Sequence, residues 1–180
     1  MGPIPFRRAS TSDQKEAAMS AAPIASLPEI HDFDFIHGRW TVAHRRLAQW
    51  GVGCDDWDRF HATANCEPRL GGLANVEEMD CPERGWMGMA VRSLDLTTRE
   101  WSIWWISDRD GRLGAPVRGR FGPGGCVLEG PDRDGERPVV ARYIWSDIQA
   151  DSARWTQQFS YDDGRTWETN WVMDFTRAAA

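Results

Sequence analysis

Tryptophans recur at even spacings along this chain. Trp101, Ile103 and Trp105 share one parity, and Trp167, Thr169, Trp171, Met173 and Phe175 form a second such row. Successive side chains in a strand point to opposite faces, so this spacing lines one face of a sheet with large rings, whereas a helix would scatter them about its axis. With 11 tryptophans in 180 residues, the pattern predicts an all-β barrel or sandwich with an aromatic inner face. A chain of this length buries one substantial core, so a single domain is the default.

Residues 1–25 are rich in Ala, Ser and Pro with no apolar period, and read as a flexible leader ahead of one domain spanning 26–180. Ser26-Leu27-Pro28-Glu29 has capping-box form and predicts a short helix through Ile30, Phe33 and Ile36, ended by Gly38. Strand signals follow over Arg39 to Leu47, Trp57 to Cys66, Leu73 to Met79, Trp86 to Leu94, Glu100 to Ser107, Val117 to Phe121, Cys126 to Gly130, Pro138 to Ser146, Arg154 to Ser160 and Thr166 to Thr176. That makes about ten strands, separated by Gly- and Asx-rich turns. Short consecutive links favour a single up-and-down antiparallel meander, which removes its exposed edges by closing into a barrel.

A net charge of −6 and a pI near 5.2 argue against nucleic acid or an anionic membrane as partner, since both reward a basic face. Lys15 is the only lysine among 21 basic residues, which nearly excludes Schiff-base and P-loop lysine chemistry from the folded part. Cys54, Cys66, Cys81 and Cys126 have neither zinc-site spacing nor a disulfide framework. No apolar run is long enough to span a bilayer as a helix, and Arg7-Arg8 is not followed by an apolar export segment. A cytoplasmic protein with reduced thiols is the expectation.

Two motifs carry structural meaning. Ser160-Tyr161-Asp162-Asp163-Gly164-Arg165-Thr166-Trp167 matches the S-x-D-x-G-x-x-W Asp box, a turn in which the aspartate binds backbone amides, the glycine takes a left-handed conformation and the tryptophan packs beneath. A propeller would repeat it in every blade; one copy marks a structural hairpin, with Asp162, Gly164 and Trp167 as its working residues. Gly38-Arg39-Trp40 on the first strand, with Arg177 ending the last, resembles the calycin and lipocalin signature. That resemblance implies an arginine stacked on an indole where first and last strands meet, a contact worth ~0.5–2 kcal/mol.

The wider run from Phe33 to Trp40, with Leu70 to Asn75, Val91 to Asp95, Trp101 to Trp105 and Trp167 to Arg177, resembles a family of bacterial calycin-like barrels of unknown function. The resemblance covers nearly everything after residue 26. It implies a fold rather than an activity, because one fold hosts many functions.

If Trp40 faces inward, so do Val42, His44 and Arg46, which places two polar groups in an aromatic lumen. Such groups need partners, a ligand or water. On the second strand His61, Thr63 and Asn65 share one parity and Phe60, Ala62 and Ala64 the other; either row fits the inward face. Asn75 and Glu77 form a candidate hydrogen-bonding pair, and Gln157 sits between Trp155 and Phe159. These polar residues, with Trp105, Trp145, Trp155 and Trp171 as walls, read either as fixtures of a small-molecule pocket or as a satisfied internal network.

Three functions compete. The first is a barrel that holds a hydrophobic or aromatic small molecule, oriented by His44, Arg46 or Glu77. The second is a cofactor-independent cyclase, isomerase or hydrolase in which His44 is the catalytic acid or base and an arginine stabilises developing charge. The third is an interaction module, because Trp104 and Ile106 make the fifth strand apolar on both faces; the helix or a second subunit, as in a homodimer, would cover the outer face. His31, His37, His44 and His61 have no metal-ligand spacing, and no cofactor is assigned. A minor alternative is haem on a single histidine, by resemblance in outline to the ten-stranded nitrobindins.

Overall fold

The computed structural model describes residues 26–179. The leader expected over residues 1–25 lies outside them. Ten antiparallel strands run in sequence order: β1 (Gly38–Leu47), β2 (Trp57–Arg69), β3 (Ala74–Cys81), β4 (Trp86–Leu94), β5 (Trp101–Ser107), β6 (Val117–Gly122), β7 (Gly125–Asp134), β8 (Arg137–Ser146), β9 (Ser152–Ser160) and β10 (Glu168–Arg177). Each pairs with its neighbours and β10 pairs with β1, so the sheet closes into an up-and-down barrel. The closed barrel agrees with a calycin-like fold.

Alternation sets the lumen as the sequence predicts. Trp40, Val42 and His44 are buried on β1, Trp101 and Ile103 on β5, and Ala153, Trp155, Gln157 and Phe159 on β9. The second strand is decided by size: Phe60, Ala62, Ala64 and Cys66 are buried, and their small members make room for the large rings opposite. His61 therefore faces outward, with 65% of its side chain exposed beside Glu83.

The first and last strands meet as the Gly-x-Trp resemblance implies. Trp40 lies opposite Arg177 in the β1–β10 register, and the Arg177 guanidinium sits 4.2 Å from the Trp40 ring centroid. Its nitrogens donate to the carbonyls of Phe35 (2.9 Å), His37 (2.9 Å) and Ala150 (3.0 Å). Trp40 Nε1 donates to the Ile36 carbonyl at 2.7 Å. Gly38 has φ +97°, and a Cβ there would lie 3.3 Å from Arg177 Nη1, so the position needs both the left-handed backbone and the missing side chain.

The short N-terminal helix is present as two 3-10 turns, Pro28–His31 and Asp34–Ile36. Ile30, Phe33 and Ile36 recur every third residue and are all buried; that spacing stays on one face in a 3-10 turn and drifts in an α-helix. The start of the turn is one residue later than the capping-box pattern placed it. Leu27 occupies the N-cap without a side-chain cap bond, and Pro28 follows it, removing one of the amides a cap would serve. Glu29 accepts from Arg99 at 3.2 Å. The turns plug one end of the barrel rather than its side: Phe33 meets Trp101 and Phe121 edge-on at 4.9 Å each, and Phe35 meets Trp145 at 5.3 Å. The outer residues Trp104 and Ile106 are flanked across the strand pair by Val91 and Met89, not by these turns.

At the opposite end the Asp-box turn has the predicted mechanics. Asp162 Oδ1 accepts from the amides of Arg165 (3.1 Å) and Thr166 (2.8 Å), Gly164 has φ +86°, and Trp167 Nε1 donates to the Gly164 carbonyl at 3.1 Å. These amide bonds, with the Thr166 hydroxyl, pull the Asp162 carboxyl down to about 2. Trp167 precedes β10, and a register irregularity between Thr169 and Trp171 separates it from the inward row of Trp171, Met173 and Phe175. The single parity run read from sequence is broken there by a bulge.

Candidate functional site

The barrel encloses a cavity of about 630 Å³. It lies above the Phe33 plug and reaches the end where the β1–β2, β5–β6 and β7–β8 connections gather. Aromatic rings form a belt around its wall. Trp105 meets Trp86 at 6.2 Å, Trp86 meets Trp171 at 6.4 Å, Trp171 meets Trp155 at 6.1 Å, and Trp155 meets Tyr143 at 4.9 Å. All four contacts are edge-to-face, the arrangement the ring quadrupoles favour. Trp105 lies across β4 because Gly88 has no side chain: a Cβ there would come 2.1 Å from its ring.

A buried ionic cluster forms one wall. Arg92 donates to Glu77 Oε2 and to Asn75 Oδ1, each at 3.0 Å, and both charged side chains are 3% exposed. Burial opposes the Arg92 charge, yet Glu77 beside it holds the guanidinium above its ordinary value. Asn75 and Glu77 are thus joined through Arg92, which lies within the Val91 to Asp95 run of the sequence. The signal was available in an arginine sharing parity with Trp86, Ala90 and Leu94 on β4. Cys66 donates to Asn75 Oδ1 at 3.6 Å, and burial pushes its thiol up to about 12, which makes it inert.

Arg46 lines the cavity nearer the open end. Its guanidinium carbon sits 4.5 Å from the Trp50 ring centroid and 4.6 Å from that of Trp171. Trp50 belongs to the β1–β2 connection, where its Nε1 donates to the Leu47 carbonyl at 3.2 Å. The neighbouring Gly51 amide donates to Glu168 at 2.9 Å, which ties this connection to the start of β10.

His44 is 1% exposed, stacks on Phe60 at 4.5 Å, and is absent from the residues that line the cavity. Trp171 Nε1 donates to His44 Nδ1 at 3.0 Å. An indole is a donor only, so Nδ1 is the bare nitrogen and the neutral ring carries its proton on Nε2. Burial first, then the His61 and Arg46 charges, push His44 down to about 4. Through its Nδ1 bond His44 positions Trp171, while its buried Nε2 has no hydrogen-bond partner.

Of the remaining sequence candidates, Glu77, Trp105, Trp145, Trp155, Gln157 and Trp171 line the cavity beside Arg46. Asn75 supports it from behind through Arg92. His61 lies on the outer wall and does not reach it. Trp50, Trp86, Tyr143 and Arg109 join the lining without having been singled out. Trp86 and Tyr143 sit on inward parity and were findable; Trp50 and Arg109 come from connections, where alternation carries no information.

Among the described residues no group of three or more His, Cys, Asp or Glu is placed to hold a metal ion. No helix among them is long and apolar enough to cross a membrane. No protein-family model matches the chain, and no curated protein matches it.

Proposed function

We propose that the barrel binds a small hydrophobic or aromatic molecule in its lumen. The carrying observation is the cavity of about 630 Å³, walled by a continuous edge-to-face belt of Trp105, Trp86, Trp171, Trp155 and Tyr143. Small-molecule sites are concave and mainly apolar, with few polar fixtures, and the volume lies within the range typical of them. Gln157 and the Arg92–Glu77 pair supply those fixtures in the wall. The belt also provides a reporter, because a ligand among these rings must alter their emission. Purified protein is examined by native mass spectrometry for a retained molecule, then stripped and titrated with apolar aromatic compounds while tryptophan fluorescence is followed. Saturable quenching that is lost in Trp155→Ala supports the proposal; no quenching by any member of the series overturns it.

A further inference from the structure

The chain is acidic overall, with net charge −6, yet the cavity lining has the opposite balance. Five arginines, Arg46, Arg92, Arg109, Arg112 and Arg133, line it against three carboxylates, Glu77, Asp110 and Asp132. Glu77 is already engaged by Arg92. Arg46 has no carboxylate within ion-pair distance among the described residues, although most other arginines near the sheet have one. Asp58, directly opposite it on β2, is turned to Arg84, whose Nε donates to it at 3.0 Å.

The geometry of Arg46 suits an absent acceptor. Its guanidinium is held against two indoles, with its carbon 4.5 Å from the Trp50 centroid and 4.6 Å from the Trp171 centroid, so its donors are positioned by the two rings. Its Nε is buried and has no acceptor. A stacked, planar fork of donors is matched by a carboxylate or a sulfonate, whose oxygens accept in the same plane, and the low-dielectric site strengthens such a bond. Burial and the nearby Arg109 charge both depress the Arg46 pKa, so a bound anion relieves a cost already present in the free protein.

Resting on the lumen-binding reading, we infer that the ligand is an apolar acid, its hydrocarbon or aromatic body within the tryptophan belt and its anionic group on the Arg46 guanidinium. The site then distinguishes acids from neutral molecules of equal size, since a neutral body leaves the guanidinium donors unmet.

The test uses two probes with one aromatic body, 1-anilinonaphthalene-8-sulfonate and the uncharged N-phenyl-1-naphthylamine, titrated into the stripped protein. The sulfonate is expected to bind about tenfold more tightly, the effect of roughly one charge-assisted hydrogen bond. Arg46→Gln should abolish that preference while retaining the neutral probe, and Arg118→Gln on the outer wall should leave it unchanged. Equal affinities in the unaltered protein overturn the inference while sparing the lumen-binding proposal. A preference that survives Arg46→Gln overturns the assignment to Arg46, and binding of neither probe overturns the lumen-binding proposal itself. Near-ultraviolet circular dichroism checks folding of each variant. If Arg46→Gln does not fold, Arg46→Lys, which keeps the charge but loses the planar fork, is expected to reduce the preference, and an unchanged preference counts against the inference.

Discussion

His44 makes the stability of this barrel depend on pH in a calculable way. Its folded-state pKa is held near 4 against an ordinary value of 6.5, so the folded state binds that proton more weakly than the unfolded chain. The stability is therefore intact above 6.5 and is lost as pH falls from there towards 4. At ~1.4 kcal/mol per pKa unit the full loss is about 3 kcal/mol, of which about 2 kcal/mol has gone by about pH 5. Protonation would also set an Nδ1–H against the Trp171 Nε1–H that now donates to it, which acts in the same direction as burial. The comparison variant is His44→Gln, whose amide oxygen can still accept from Trp171 but does not titrate. Urea unfolding of both proteins at about pH 7 and about pH 5 isolates the term, because other titrating groups, including the half-buried His37, are common to both. The unaltered protein is predicted to lose about 2 kcal/mol more than the variant across that interval. Parallel losses, or an imidazole NMR titration of His44 near 6.5 or above, would refute both the neutral tautomer and the positioning role derived from it.

Three further perturbations test the frame of the site. Arg177→Met removes three carbonyl hydrogen bonds and the stack on Trp40, and is predicted to cost about 2–3 kcal/mol in urea unfolding; a loss below about 0.5 kcal/mol would mean the barrel closure does not depend on it. Gly88→Val drives a side chain into the Trp105 ring and should cost about 1–3 kcal/mol with a changed near-ultraviolet tryptophan signal; an unaltered signal would contradict the Trp105 placement. Glu77→Gln strands the buried Arg92 charge and is expected to cost about 3–5 kcal/mol, with Glu77→Leu combined with Arg92→Met recovering at least half. Additive losses in that double variant would show that the two residues do not act as a pair.

Sequence parity recovered the walls of this molecule because a strand alternates strictly and the tryptophans are too large to be placed at random. Alternation with the turn signals predicted all ten strands, most within three residues at each end; the Asp-box motif gave the mechanics of the Asp162 turn, and the Trp40–Arg177 closure was what the calycin resemblance implied. Alternation failed where a different physical rule governs. The bulge before Trp171 breaks the period, so Trp167 was grouped with residues it does not join. Residues on connections, Trp50 and Arg109 among them, follow no period at all. On β2 both rows contained small or polar residues, and only the bulk of the rings across the lumen decides that Phe60 faces in and His61 faces out.

His44 and Arg46 show what alternation cannot supply. They lie two residues apart on the same strand and the same face, and sequence gives them equal standing as polar groups in an aromatic lumen. Their separation along the barrel gives them opposite chemistry. His44 lies behind Trp171, takes its indole proton as a hydrogen bond and is fixed as a neutral ring. Arg46 lies on the cavity side of that same indole and uses the opposite kind of contact, charge against the π face; its Nε, like His44 Nε2, has no hydrogen-bond partner. One tryptophan thus stands between a histidine outside the cavity lining and an arginine within it. Removing it should disturb both at once: Trp171→Leu is expected to release the pH term of His44 towards that of an ordinary histidine and to weaken the Arg46 preference for an anion. Loss of the first without the second would place the anion-reading contact on Trp50 rather than on the shared ring.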